Sequence, residues 1–90
     1  MDDAHELPID GVLDLHTFLP REVKALVRDY LEACRERDLL EVRVIHGKGT
    51  GALRETVHGA LREIEFVAEF RLADEARGGW GATLVRLRPR

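Results

Sequence analysis

"VIHGKGTGALRETV", residues 44–57, contains the end of an apolar run, a glycine-rich loop and the beginning of a helical pattern. The loop alternates glycine with polar residues in the order His46, Gly47, Lys48, Gly49, Thr50, Gly51. Glycine in such a loop either serves a tight turn or lets a ligand come close to the backbone. The stretch therefore predicts a strand that passes into a helix, with a candidate binding loop between them.

Hydrophobic periodicity on either side of this loop predicts two helices and three further strands. The first helical stripe begins after Pro20 and comprises Val23, Leu26, Val27, Tyr30, Leu31 and Cys34. The second runs over 53–64, and the strands are predicted at 11–16, 41–47, 66–73 and 82–88. Because βαβ crossovers are right-handed, the order βαβαββ predicts a two-layer α/β (α+β) sandwich, a four-stranded sheet with both helices on one face.

Length and composition indicate one small domain. Ninety residues divide into a flexible acidic lead-in at 1–10 and a single domain at 11–90. The one cysteine, Cys34, excludes an internal disulfide and suits a reducing compartment. No apolar run is long enough to span a bilayer, and the N-terminus lacks the pattern of a signal peptide. We therefore expect a cytoplasmic domain.

Charge is distributed unevenly over a chain whose net charge is -3. Residues 76–90 contain four arginines and no acid. Strand alternation gathers polar side chains on the sheet face that no helix covers, namely Asp14, His16, Arg43, Arg71, Arg86 and Arg88. Arginine binds phosphate through two parallel hydrogen bonds and stacks on bases, so this face favours an anionic partner. A merely solvated sheet face would also be polar.

Two histidines are predicted at one edge of the sheet. His16 ends the first strand and His46 ends the second, and the carboxyl ends of parallel strands share the edge where open α/β sheets bind ligands. The loop after His46 leads into a helix N-terminus, which favours an anion. Asp14 shares a face with His16 and is placed to orient its ring. A phosphodiester backbone fits this arrangement.

These residues also have purely structural interpretations. A histidine at a strand end can serve a structural hydrogen bond, and strict alternation places His46 on the helix side, with the buried valines of its strand. Asp14 could cap a turn, and His58 is expected at an exposed helix position. The loop lacks the GxxxxGK[ST] pattern, which argues against binding of a nucleoside triphosphate.

Four segments, in this order and spacing, resemble the Smr (small MutS-related) domain family: LDLH at 13–16, IHGKGTG at 45–51, ALRETV at 52–57 and GGWGATLVRL at 78–87. The resemblance covers about 12–88 and implies a stand-alone bacterial member. It also implies sheet order 1-2-4-3, with the fourth strand antiparallel to the others, as in the C-terminal domain of translation initiation factor 3. The chain departs from the family at Thr17, where glycine is usual, and at Phe18 next to it, which would narrow the access to His16.

The resemblance implies a nuclease that nicks DNA or cleaves RNA, in some members at translating ribosomes. Asp14 and His16 match the motif that the family uses for cleavage. The nucleic-acid-binding loop motif of the family matches His46, Gly47 and Gly49. Its GGxGAT turn matches Gly78, Gly79, Gly81, Ala82 and Thr83.

One interpretation of these features is an endonuclease that prefers RNA to DNA, with Asp14, His16 and His46 as catalytic residues. An imidazole suits either a general base or a general acid at neutral pH, so the two histidines would share these roles. Asp14 is the only carboxylate at the edge, whereas a two-metal site needs several. We therefore expect no metal cofactor, with at most a weak dependence on divalent cations.

A second interpretation is a nucleic-acid-binding module without catalysis. It would use the same surface, comprising Arg43, Gly47, Lys48, Gly49, Thr50, Gly51, Arg86 and Arg88. A third is a small domain that binds a phosphate ligand or another protein. The sequence leaves all three open, and it does not indicate an oligomeric state.

Overall fold

The computed structural model describes residues 7–73 and 81–90. Its elements are β1 (Val12–Asp14), α1 (Pro20–Glu36), β2 (Glu41–Ile45), α2 (Ala52–Arg62), β3 (Val67–Leu72) and β4 (Ala82–Leu87). The predicted order βαβαββ is confirmed. The strands are shorter than predicted, β1 most of all, because only its residues 12–14 pair with a neighbour before the chain turns.

The four strands form one sheet with the order β1-β2-β4-β3, which confirms the predicted topology. β1 runs parallel to β2, and Asp14 lies beside Ile45. β4 is antiparallel to both of its neighbours, β2 and β3. The parallel pair brings the ends of β1 and β2 to the same edge of the sheet, and the glycine-rich loop leaves from that edge.

The core lies between the sheet and the two helices. The side chains that alternate toward the helices are buried, in particular Leu13, Leu15, Val42, Val44, Val85 and Leu87. Five residues of the predicted stripe of α1 face them and are buried: Val23, Val27, Tyr30, Leu31 and Cys34. The helix-free face of the sheet carries the other half of each strand.

The start of α1 is fixed locally. Pro20 occupies the first helical turn, where its missing N–H costs no hydrogen bond. The carboxylate of Glu22 accepts the N–H of Leu19 at 2.9 Å, which satisfies one backbone donor just before the helix. Neither α1 nor α2 has the length and apolar character of a membrane-crossing helix, in the part of the chain that the structure describes.

Tyr30 ties the segment before β1 to α1. Its hydroxyl accepts the N–H of Gly11 at 3.2 Å and lies 3.0 Å from the carbonyl oxygen of Val12, to which it donates. Leu7 and Ile9 pack against the core. Residues 7–10 of the predicted lead-in thus contact the rest of the fold. Residues 1–6 lie outside the described part of the chain.

We predict that Tyr30→Phe lowers the free energy of unfolding by about 1 to 3 kcal/mol, because the buried N–H of Gly11 loses its acceptor while the ring stays in the core. Urea denaturation of both proteins measures this as a lower midpoint with an unchanged slope. Equal midpoints would show that water replaces the hydroxyl without loss.

Candidate functional site

The exposed end of β1 carries a carboxylate and an imidazole in direct contact. An Asp14 carboxylate oxygen lies 2.8 Å from Nδ1 of His16 and also accepts the backbone N–H of His16 at 3.0 Å. These hydrogen bonds lower the pKa of the Asp14 carboxyl, so it is ionised at neutral pH. The carboxylate accepts the proton of Nδ1, which leaves Nε2 as the basic nitrogen of the neutral ring. The side chain of His16 is 75% exposed.

The glycine-rich loop begins where β2 ends and is anchored to β4. The carbonyl of Gly81 accepts the N–H groups of both His46 and Gly47, at 2.9 and 2.8 Å. Gly47 has a φ of 83°, Gly49 one of 20° and Gly51, the residue that precedes α2, one of 91°. The turn therefore needs glycine for conformational reasons. A Cβ atom added to Gly47 or Gly49 would meet nothing within 4 Å, so there is also open space beside the backbone.

His46 lies on the helix side of the sheet, as strict alternation indicates, and is only 6% exposed. Its Nδ1 is 2.9 Å from the carbonyl oxygen of Gly47, to which it donates. Its Nε2 is 2.8 Å from the hydroxyl oxygen of Thr83 and is the acceptor of that bond. Both ring nitrogens are therefore engaged within the protein. His16 hydrogen-bonds on the open side, so the structure does not bring the two imidazoles together as a pair.

Thr83 links His46 to a third histidine. His58, on α2, has its Nε2 at 2.8 Å from the hydroxyl oxygen of Thr83. Since the hydroxyl has one hydrogen and gives it to His46, His58 must be the donor. Burial, reinforced by the neighbouring His46, lowers the pKa of His58, so the ring is neutral at pH 7 and can act in this way. Its predicted placement as an exposed helix residue is wrong: it is half-buried and packs 4.9 Å from the ring of Phe70.

One feature of the sequence could have predicted the hydrogen bonds that link His46, Thr83 and His58. Thr83 alternates with Val85 and Leu87 and so belongs to the buried side of β4, where it is 0% exposed. A hydroxyl on a buried strand face needs a partner, which could have directed attention to a histidine opposite it. Helical periodicity gave no comparable signal for His58.

A cleft of about 310 Å³ lies on the helix side of the loop. It is lined by Phe18, Pro20, residues 46–53, Arg54 and Thr56. Among the residues that the structure describes, its charged side chains are those of Lys48 and Arg54, and none of them is a carboxylate. The guanidinium of Arg54 lies over Gly51, where an added Cβ would be 2.6 Å from Nη2. The sequence did not single out Arg54, and it indicated Phe18 only as narrowing the access to His16, because neither belongs to a glycine or histidine motif.

The open face of the sheet has a cleft of about 600 Å³. The predicted arginines Arg43, Arg71 and Arg86 line it, but Glu41 and Glu69 do so as well. Arg86 is ion-paired with Glu69 through Nη2 at 2.8 Å and Nε at 3.0 Å. The face is therefore mixed in charge and less basic than predicted. The cause is the register, which places both glutamates directly opposite Arg86 on its two neighbouring strands.

Two further predicted features can be placed only in part. Arg88 follows β4, is exposed, and accepts a hydrogen bond from Arg35 with its carbonyl oxygen. Gly78 and Gly79 of the GGxGAT turn lie outside the described residues, whereas Gly81 and Thr83 of the same turn hold the loop. Within 7–73 and 81–90 the structure contains no group of three or more His, Cys, Asp or Glu side chains that could hold a metal ion.

Comparison with known proteins identifies one family. The model of the Smr domain matches residues 13–88. The chain is 41% identical over 76 residues to "Endonuclease MutS2" of Carboxydothermus hydrogenoformans and 42% identical over 77 residues to that of Thermus thermophilus. These alignments cover 84% and 86% of this chain but only 10% of either relative, so the chain spans about a tenth of their length.

Solved structures give the same result. The Smr domain of Thermus thermophilus MutS2 superposes with a TM-score of 0.83 at 40% identity, covering 88% of this chain and 99% of that one. YdaL, a stand-alone small MutS-related protein from Escherichia coli, superposes with a TM-score of 0.75 at 26% identity, covering 94% of this chain and 70% of its own.

We predict that Thr83→Val lowers the free energy of unfolding by about 1 to 3 kcal/mol, because it leaves His46 without its donor and His58 without its acceptor. Thr83→Ser, which keeps the hydroxyl, is the matched control and should retain most of the stability. Urea denaturation measures both. A valine variant as stable as the serine variant would contradict the hydrogen-bond assignment.

The lowered pKa of His58 predicts a pH dependence of stability. In the unfolded chain a histidine titrates near 6.5, so below about pH 6.5 the unfolded state binds more protons at this position than the folded state does. Stability should therefore fall as the pH drops below this value. His58→Gln keeps an N–H donor without the titration and should flatten the curve between pH 5 and 7. Identical curves for both proteins would rule out His58 as the cause.

Proposed function

This chain belongs to the Smr domain family, and we propose on that premise that it is a nucleic-acid-binding endonuclease with RNA as its substrate. The observation that carries the proposal is the 2.8 Å contact between the Asp14 carboxylate and Nδ1 of the exposed His16, at the edge from which the glycine-rich loop departs. A carboxylate that holds an imidazole with Nε2 available for a proton is an arrangement suited to general-base catalysis.

In the proposed reaction, Nε2 of His16 takes the proton of a ribose 2′-hydroxyl. The 2′-oxygen attacks the adjacent phosphorus, the bond from phosphorus to the 5′-oxygen breaks, and the leaving oxygen takes a proton from water. The products are a 2′,3′-cyclic phosphate and a 5′-hydroxyl. Asp14 acts as a positioning residue, since it fixes the tautomer and orientation of His16.

The loop supports this reaction with positive charge. Lys48 and Arg54 lie at the loop and the first turn of α2, where the helix dipole also favours an anion. Cations beside the phosphate stabilise the charge that builds on its oxygens in the transition state. His46 serves here as a positioning residue, because its ring holds the carbonyl of Gly47 and is engaged on both nitrogens.

A binding module without catalysis is the second candidate, and the engagement of His46 favours it. With His46 held inside the protein, His16 is the one exposed imidazole that residues 7–73 and 81–90 place at the edge, and no second acid or base is assigned to protonate the leaving oxygen. Such a module would bind nucleic acid through the same cations and leave it intact.

We predict that single-stranded RNA is cleaved in the presence of EDTA and that mass spectrometry finds a 2′,3′-cyclic phosphate and a 5′-hydroxyl. His16→Ala should lower the rate by about 100- to 10,000-fold, the usual contribution of a general base. Thr17→Ser, which keeps the hydroxyl at the neighbouring exposed position, is the matched control and should cleave normally. A 5′-phosphate product that EDTA abolishes would indicate a metal-activated water instead, and cleavage of DNA would exclude the 2′-hydroxyl as nucleophile.

Intact RNA under all conditions, bound equally well by the unchanged protein and by His16→Ala, would establish the binding module. That result would refute the endonuclease and leave the assignment of the binding loop in place.

Salt dependence tests which cations contact phosphate. Each contact makes log affinity fall with log salt concentration by about 0.7 on a single strand. We predict that Lys48→Ala and Arg54→Ala each reduce the magnitude of this slope by about 0.7, the amount expected when one phosphate contact is lost. Arg86→Ala, whose side chain is held by Glu69, should reduce it less. If the three variants reduced the slope equally, the nucleic acid would have to contact both faces of the sheet.

A further inference from the structure

The cleft beside the loop combines an aromatic wall with positive charge. Phe18 is half-buried, packs in part against the core and lines the cleft, where Pro20 and Leu53 add apolar surface. Lys48 and Arg54 supply two cations, and among the described residues neither is ion-paired to an acid. Aromatic stacking surfaces beside basic side chains are what single-stranded nucleic-acid sites use, because every base has a flat face and every nucleotide has a phosphate.

The size of the cleft limits what can enter it. Its volume of about 310 Å³ is at the lower end of small-molecule sites. This corresponds to about ten water molecules at roughly 30 Å³ each. One nucleobase fits such a space.

The cleft is also close to the proposed reacting groups. Phe18 follows His16 by two residues, which span at most about 7 Å of chain. Both residues belong to one turn, which is closed by a hydrogen bond of 3.0 Å from the N–H of Phe18 to the carbonyl oxygen of Leu15. This turn carries the chain from the open side, where Asp14 and His16 lie, to the helix side, where Phe18 lines the cleft. A nucleotide next to the one held at His16 can therefore reach the cleft with its base.

We propose that this cleft is a base-binding subsite, in which one unstacked nucleobase of a single strand lies against Phe18 while Lys48 and Arg54 hold the adjoining phosphates. The inference deepens the proposed function, on which it rests, by restricting the substrate to nucleic acid that is unpaired at the site. Bases within a duplex are stacked on both sides and do not reach Phe18.

Binding measurements with two matched oligomers test the proposal. The probes are a ten-nucleotide uridine RNA and an abasic RNA of the same length, which has the same phosphates but no bases. His16→Ala protein is used as the background, so that cleavage does not interfere. We expect the uridine oligomer to bind more tightly than the abasic one.

Substitution of Phe18 should remove only the base-dependent part of the affinity. Phe18→Leu keeps apolar volume in the core but has no aromatic face, and it should weaken uridine binding roughly 5- to 150-fold while leaving abasic binding unchanged. Thermal melts confirm that the variant is folded. Leu19→Ala is the control, since Leu19 is 46% exposed and does not line the cleft, and it should change neither affinity.

A positive readout comes from Phe18→Trp in a chain that also carries Trp80→Phe. Stacking of a base on the new indole should quench its fluorescence with uridine RNA and not with abasic RNA. Equal binding of both oligomers by the background protein, or an equal effect of Phe18→Leu on both, overturns the base-binding subsite and leaves nucleic-acid binding intact. Binding of neither oligomer overturns the proposed function as well.

Discussion

The parallel pairing of β1 with β2 is the constraint on which the arrangement of the site depends. Asp14 lies beside Ile45 and the N–H of Leu15 donates to the carbonyl of Ile45, so both strands end at the same edge. The exposed carboxylate–imidazole pair and the glycine-rich loop are some thirty residues apart in sequence and would not meet without this register. The buried half of each strand, packed under α1 and α2, holds the register, because a slip of one residue would turn the core side chains toward solvent.

The same alternation that forms the core separates the histidines. Asp14 points to the open side and supports His16 there, whereas His46 follows the buried valines of β2 to the helix side. The ring of His46 can then reach Thr83 on β4, and through it His58 on α2. Of the three histidines in the described part of the chain, His16 is thus left for chemistry at the surface, while the other two join the loop, the sheet and a helix.

Much of the fold and part of the site could be predicted from sequence, because they follow from short-range patterns. Periodicity predicted the elements and the buried stripe of α1, and the resemblance to the Smr domain family implied the sheet order. The ion pair of Arg86 with Glu69 depends on strand register, and the contact of His58 with Thr83 depends on how α2 packs over β4. Neither relation can be read from spacing in the chain. Alternation already placed His46 on the helix side, but its two partners required the structure.

The buried histidine also explains how a loop with three glycines can present a defined surface. Glycine loses more conformational freedom on ordering than any other residue, so such a loop is ordered only if its ends are held. At its start, the ring of His46 donates a hydrogen bond to the carbonyl oxygen of Gly47. The carbonyl oxygen of Gly81 accepts the backbone N–H groups of His46 and Gly47. At its end, Gly51 lies under the guanidinium of Arg54 and its carbonyl accepts the N–H of Glu55 in α2. The exposed residues between these anchors, with Lys48 among them, are therefore kept in place by contacts on the helix side and remain open to a ligand.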